Sequence, residues 1–463
     1  MFHSSVYVER RKKLRSLLSE GIVLIPGNVD SPMNYPANAY KFRQDSNFLY
    51  FFGLDLENLI GVLDLDNGED ILFGNDVDIE DIIWMGPQPS IRELGQKVGI
   101  TKTSSHSELF SYIEKAISSG RKVHFLPPYR AENKLLLQSL TGIEPKHQKA
   151  YASLALIKAV ISLRSVKEEV EIIEIEKAIS IGHEMHTTAM RMAKPGIYEM
   201  EIAGVMEGIA MKHGGQVSFP IILSVHGETL HNHYHGNLLT EGRMLLIDAG
   251  AENISHYASD HTRTIPVGGK FNSRQKDIYE IVLKANMDAI AAIKPGVPYR
   301  DVHLLSARTI IEGLKALGLM KGDTHEAAEK GAHALFFPHG LGHMMGLDVH
   351  DMEDMGENYV GYDEEIKRST LFGTASLRLG KRLKEGYVLT VEPGIYFIPE
   401  LYSQWKQEKM FNEFINYSKV ESYLDFGGVR IEDDVLVTAG GNRVLGKSIP
   451  KSVSEVEDYM KTK

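Results

Sequence analysis

Five short stretches in the second half of the chain each place an acid or an imidazole where solvent alone cannot satisfy it. Met244-Leu-Leu-Ile-Asp248-Ala-Gly250 ends an apolar run on a carboxylate, and Tyr257-Ala-Ser-Asp260-His-Thr-Arg-Thr-Ile265 brings a second one 12 residues later. The intervening Glu252-Asn-Ile-Ser-His256 has the composition of a turn, so an antiparallel hairpin carries both aspartates to the same place. Val388-Leu-Thr-Val-Glu392-Pro-Gly394 and Gly427-Gly-Val-Arg430-Ile-Glu432-Asp433-Asp434 repeat the device with glutamates. Phe337-Pro-His339-Gly-Leu-Gly-His343-Met-Met-Gly346-Leu-Asp-Val-His350-Asp351 sets three histidines among glycines, which argues against a helix and for a tight backbone that presents imidazoles. A carboxylate in an apolar strand is costly unless it is paired or bound to a metal.

Asp248, Asp260, His343, Glu392 and Glu432 therefore form a candidate ligand set of four carboxylates and one imidazole. Such a set suits two divalent ions and favours hard or borderline cations, Mn²⁺ foremost, with Co²⁺, Fe²⁺ and Zn²⁺ also accommodated. A water held between two such ions is a nucleophile at neutral pH. For any single acid the bland alternative is an ion pair with Arg263 or Arg430. Five such elements in one region favour the metal. HExxH is absent, so the helix of the zincins is not the scaffold.

Composition narrows the remaining classes. There is no cysteine, which excludes disulfides, thiolate nucleophiles and cysteine-ligated zinc or iron–sulfur centres. Lys and Arg number 51 against 62 Asp and Glu, a net charge of −11 that disfavours a nucleic-acid partner. No run approaches the ~20 apolar residues that span a bilayer. The basic start through Lys13 is followed by a stretch broken by Arg15, Ser16, Ser19 and Glu20, a poor signal peptide, so a cytoplasmic address is expected.

The elements that must position these groups fall into two parts, residues 1–160 and 161–463. The first part predicts a small α/β domain: a helix over 6–18, strands at 22–26, 48–52, 59–63 and 71–73, a helix over 107–118 and a strand at 122–126. Ser165-Val-Lys-Glu-Glu169 then offers a serine N-cap for a long helix over 165–193 that carries Ile172, Ile173, Ile175, Ala178, Ile179 and Ile181 inward. Further helices are expected at 199–213, 272–293 and 299–318, and loops or insertions at 351–375 and 398–426.

The ordered series LIDAG, ASDHTRT, HGLGHMMGLDVHD, TVEPG and GGVRIEDD resembles the pita-bread metallopeptidases (M24), and within them the prolidase and aminopeptidase P branch. Phe42-Arg-Gln-Asp-Ser-Asn-Phe48 with Phe52-Gly53 resembles the amino-terminal domain of that branch. The resemblance implies an α+β fold, in which the α/β first domain precedes a catalytic domain built on a curved antiparallel sheet. It also implies a homodimer or higher homo-oligomer whose first domain closes the neighbour's site. By this match Asp260 and Glu432 bridge two ions, Asp248 completes one shell, and His343 with Glu392 completes the other. Glu392 would also take the water's proton and pass it to the leaving nitrogen.

The same resemblance makes His231 the substrate-side histidine, with a slip to His233 open because His231-Asn-His233-Tyr-His235 offers three imidazoles. His235 is expected on a mobile surface loop. His350 matches a histidine that stabilises the tetrahedral oxyanion, and His339 one that lines the substrate site. Arg430 is expected beside the substrate in both branches. Arg378, in Ser376-Leu-Arg378, resembles the prolidase arginine that grips the free carboxylate after proline, against a basic surface segment as the alternative. These features lean to an Xaa-Pro dipeptidase, with an Xaa-Pro aminopeptidase acting on longer peptides close behind. A catalytically inactive binding protein of the same fold is disfavoured because no ligand is missing.

Overall fold

The computed structural model describes residues 2–461. These form two compact units. One contains the chain up to Arg164 together with Asp354–Tyr359, and the other contains Ser165–Glu353 and the chain from Val360 onward. The break falls after Arg164 because a helix, Leu154–Ser165, runs through position 160.

In the first unit five strands, β1 (Ile22–Pro26), β2 (Ile60–Asp64), β3 (Glu69–Phe73), β4 (Lys102–Ser104) and β5 (Val123–His124), lie in the order β4-β3-β2-β1-β5. The β1–β2 and β2–β3 pairs are antiparallel, and β1–β5 and β3–β4 are parallel. Alternate residues build one core face: Ile22 and Leu24, Ile60 and Val62, Ile71 and Phe73. The helix His106–Ser118 meets that face with Leu109, Ile113 and Ala116, spaced as one helical stripe.

The aromatic run at 48–52 is not a strand. It lies in the helix Ser46–Phe52, where Asp45 caps the first turn by accepting the N–H groups of Asn47 and Phe48, both at 2.9 Å, and Gly53 closes the end at φ 64°. Every residue of this helix is buried, so no polar side of the sequence exposes its period. The helix Ile79–Met85 is the opposite case, leaving Ile79, Ile83 and Trp84 more than two-thirds exposed.

All strand pairing in the second unit is antiparallel and is divided among short ladders. These are β7 (Ile222–Ser224), β8 (Met244–Ala249) and β10 (His261–Pro266) in the order β10-β8-β7; β11 (Val388–Val391), β14 (Asp433–Thr438) and β15 (Gly441–Val444) in the order β11-β14-β15; β12 (Gly394–Tyr396) with β13 (Gly428–Arg430); and β6 (Gln216–Val217) with β9 (Ala251–Glu252). Helices Glu169–Met192 and Glu199–Lys212 pack together, as do Ser273–Ala292 and Tyr299–Ala316.

Several expected boundaries shift for local reasons. The long helix starts at Glu169, because Glu168 and Glu171 form the capping box while Ser165 still belongs to the preceding helix. Ile173 turns to solvent, whereas Ile172, Ile175, Ala178, Ile179 and Ile181 are buried as expected. The stretch 398–426 contains a helix, Pro399–Glu408, opened by proline in its first turn, and 351–375 contains the short helical turns Glu353–Met355 and Glu357–Val360. No helix among the described residues is long and apolar enough to cross a membrane.

Candidate active site

The five expected ligands come from four different pieces of backbone. Asp248 is next to last in β8, where it pairs with Thr262 of β10 on one side and Ile222 of β7 on the other. Asp260 immediately precedes β10, so the hairpin does bring both aspartates to one end of the ladder. Glu392 follows β11, and Glu432 lies between β13 and β14. His343 sits in extended, non-helical chain that behaves as a further strand beside β11. Its N–H donates to Thr390 Oγ1 at 3.1 Å, Thr390 N–H donates back to the His343 carbonyl at 3.0 Å, and Glu392 N–H donates to the Leu341 carbonyl at 2.8 Å. Gly342 permits that approach, since a Cβ there would lie 2.0 Å from the Thr390 carbonyl oxygen.

The side chains converge on one cavity of about 260 Å³ lined by Asp248, Asp260, His343, Glu392 and Glu432, together with His231, His233, His350 and Arg378 and the apolar Phe219, Pro220, Ile222 and Val349. Ligand atoms of Asp260, His343 and Glu432 lie within 4.8 Å of one another, and among the described residues no other group of three such side chains is this close. His343 Nδ1 is 3.0 Å from the Met344 carbonyl, which can only accept, so the proton is on Nδ1 and Nε2 carries a lone pair. That lone pair faces Asp260 Oδ2 at 3.4 Å and Glu392 Oε1 at 3.6 Å. A lone pair pointed at two carboxylates is repulsive unless a cation lies between them.

The carboxylates themselves tell the same story. Asp248 Oδ1 and Asp260 Oδ1 are buried without a hydrogen-bond partner. Burial, reinforced by the charges of Glu432 and Asp248, pushes the Asp260 carboxyl well above the usual carboxylate range. Burial and the neighbouring Glu392 do the same to Glu432. Glu392, raised by burial, opposed by Arg430 and reinforced by Asp248, is pushed up to about 7. The set fits divalent cations: orphaned buried acceptors, a fixed imidazole lone pair, and more anionic charge than the neighbourhood balances.

The alternative of ordinary ion pairs holds for one acid of the four. Arg430 donates to Asp248 Oδ2 at 2.6 Å, while Arg263 goes to Asp433 at 2.7 Å, a residue outside the ligand set. Strand alternation explains the division. Glu432 and Asp434 share one side of the chain, where Asp434 Oδ2 accepts the Asp260 N–H at 3.1 Å, while Asp433 points the other way to Arg263 and Lys451.

Arg430, expected beside the substrate, is instead buried behind the ligands. It donates to Asp248, to Thr262 Oγ1 at 3.1 Å and to Tyr396 Oη at 2.7 Å. Tyr396 in turn hydrogen-bonds His339 Nε2 at 2.9 Å, and His339 Nδ1 bonds the Gly340 carbonyl at 2.8 Å. His339 thus stands in a relay next to Glu392 and outside the cavity lining. Both His231 and His233 line the cavity, so the two-residue slip stays open in the geometry. His235, expected on the surface, is half-buried, with its Nε2 3.1 Å from the Ile221 carbonyl.

Several supporting residues escaped the sequence reading. Thr262 Oγ1 donates to Glu432 Oε2 at 2.7 Å, and Thr390 Oγ1 lies 3.4 Å from Glu392 Oε1. Each threonine is two residues from a ligand, Asp260 or Glu392, and strand alternation was the signal that would have found both. Lys167 and Asp351 form a wholly buried ion pair at 2.9 Å beneath the loop that ends in His350. Only distant sequence positions meet there, so no local pattern announces it.

Fold and site together define a two-domain metallopeptidase. Residues 174–439 match metallopeptidase family M24, and residues 7–124 match the aminopeptidase P N-terminal domain. The chain belongs to family M24. It is 35% identical to a probable Xaa-Pro aminopeptidase of Fusarium vanettenii over 95% of this chain and 92% of that protein. It is 30% identical to the human Xaa-Pro dipeptidase over 98% of this chain and 91% of that protein. Aminopeptidase PepP of Pseudomonas aeruginosa superposes with a TM-score of 0.82 at 29% identity, covering 99% of this chain and 98% of that structure. Aminopeptidases predominate among such relatives, which moves the weight from the dipeptidase reading to its aminopeptidase alternative.

Proposed function

We propose that this chain is a metal-dependent Xaa-Pro aminopeptidase, hydrolysing the bond before a proline at the second position of a peptide. The observation that carries the reading is the convergence of Asp248, Asp260, His343, Glu392 and Glu432 in one cavity, in a chain whose relatives are named for this activity. Two divalent ions, Mn²⁺ foremost, would be held by these five residues. When bound, they acidify a water and stabilise negative charge on the scissile carbonyl oxygen. Glu392 accepts the proton that the attacking water sheds as its oxygen bonds to the carbonyl carbon. It then delivers that proton to the proline nitrogen as the C–N bond breaks. His350 and either His231 or His233 donate hydrogen bonds to the peptide, a role supported by their place on the cavity wall.

The dipeptidase reading keeps one specific support: Arg378 lines the same cavity and carries the planar fork suited to a free carboxylate. A cytoplasmic address and self-association complete the proposal, the latter supported by the exposed apolar face of the helix Ile79–Met85. The deciding experiment compares an Xaa-Pro dipeptide with an Xaa-Pro-Xaa-Xaa tetrapeptide, using purified protein supplied with Mn²⁺ and then stripped by chelator. Metal-dependent preference for the tetrapeptide supports the aminopeptidase. Cleavage of the dipeptide alone makes it a dipeptidase, and cleavage of neither removes the peptidase reading.

A further inference from the structure

Glu353 touches two groups of the cavity wall at once. Its Oε2 accepts the Nδ1–H of His350 at 2.5 Å and lies 3.5 Å from Nε of Arg378. Met352, in the left-handed region at φ 63°, turns the chain so that Glu353 folds back on His350, and Glu353 N–H closes the turn on the His350 carbonyl at 3.2 Å. The turn is anchored below by the buried Lys167–Asp351 pair and by Asp351 N–H donating to the Met344 carbonyl at 2.9 Å. His350 and Arg378 line the cavity, with Glu353 joining them from outside its lining.

We propose that Glu353 is a specificity-determining residue: by pairing with Arg378 it turns the site away from peptides that end in a free carboxylate directly after proline. The proposal rests on the reading of this chain as an Xaa-Pro peptidase and names which end of the substrate the site selects. A guanidinium alone is a strong bidentate receptor for a carboxylate. With Glu353 already beside it, an arriving carboxylate meets a nearly neutral pair and is repelled by the resident anion. A peptide that continues past proline presents a neutral amide there and suffers no such repulsion. The same carboxylate anchors the His350 ring, which serves every substrate alike. The two roles are therefore separable by substrate: loss of the grip on His350 lowers all turnover, whereas loss of the anion beside Arg378 changes only the ranking of substrates.

The test measures kcat/KM for an Xaa-Pro dipeptide and an Xaa-Pro-Xaa-Xaa tetrapeptide on the Mn²⁺-loaded wild type, E353Q, E353D, R378Q and the double variant E353Q/R378Q. In E353Q both values fall, but the dipeptide-to-tetrapeptide ratio rises about fivefold or more, chiefly through the dipeptide KM, as expected for release of a partly exposed ion pair. E353D keeps the charge and keeps the wild-type ratio. In the R378Q background the E353Q change leaves the ratio unmoved. Because Glu353 is 42% exposed, E353Q is expected to fold, and matched thermal melts verify it. An unchanged ratio in folded E353Q, with wild-type cleavage intact, overturns the proposal alone. Failure of the wild type to cleave either peptide overturns the peptidase reading and this proposal with it.

Discussion

The two units treat a buried carboxylate in opposite ways. In the first, Asp64 is wholly buried and fully answered: Arg121 and Tyr112 donate to it, and Asn67 adds its backbone N–H at 3.0 Å and its amide at 2.9 Å. Burial alone would raise that carboxyl, but these donors overcome it and bring it down to about 2. In the second unit Asp260 and Glu432 are equally buried, have carboxylates for neighbours, and are raised. A charge whose partners are built into the chain serves stability; a charge whose partner is left to be supplied from solution serves binding. The difference separates framework from function without reference to any relative.

The largest effect is expected where the missing partner is an ion. Asp260→Asn or Glu432→Gln should remove bound metal and lower turnover by about a thousandfold or more, read by metal analysis of dialysed protein beside steady-state rates. Full activity in either variant would break the contrast. Next, His231→Ala or His233→Ala should cost about a hundredfold in kcat with metal content intact, and whichever variant does so identifies the substrate-side histidine.

Stability tests then reverse the sign between units. Asp64→Asn should destabilise the fold by about 2 kcal/mol in denaturant titrations, because Arg121 loses one of its two countercharges and keeps only the more exposed Asp66. Asp260→Asn, measured in chelator, should stabilise it by about 1 kcal/mol by relieving repulsion. The stabilisation from Asp64 is present above the ordinary carboxylate pKa of about 3.9 and should fade as pH falls from there through about 2. Asp64→Asn should flatten that part of the acid-unfolding profile.

The smallest effect concerns a cation. Burial lowers Lys381 to about 8, so the unfolded chain binds more protons than the folded one between there and the ordinary lysine value near 10.4. Unfolding free energy should therefore rise with pH across that window, and Lys381→Met should remove the slope while adding about 1 kcal/mol at neutral pH. A flat profile in the wild type would confine uncompensated burial to the metal-site carboxylates.

The convergence of the five candidate ligands was legible because each stands beside glycine or inside a β-rich run, and the 12-residue spacing of Asp248 and Asp260 fits a hairpin. What supports those ligands was less so. Thr262 and Thr390 were readable from alternation, but Arg430 gives no local sign of turning to Asp248 rather than to substrate, since that choice is made by strands 182 positions apart. Phe48 to Phe52 misled for a related reason: a helix buried on all sides has no polar stripe, and its only local marks are the Asp45 cap and Gly53. Arg378 shows the limit most sharply. Its type suggested a carboxylate grip, while Glu353, 25 positions away, already stands 3.5 Å from its Nε.

The pairing of the His343 stretch with β11 has a kinetic consequence. Backbone hydrogen bonds from Thr390 to His343, from Glu392 to Leu341 and from Met345 to Val388, with the His343 N–H on the Thr390 hydroxyl, hold His343 and Glu392 in one register, so loss of metal should leave the backbone that carries these two groups where it was. Reloading is then a bimolecular capture by a preformed cage. Its rate should scale with free ion concentration and with the speed at which each cation sheds its hydration water, and it should be indifferent to how fast the polypeptide folds.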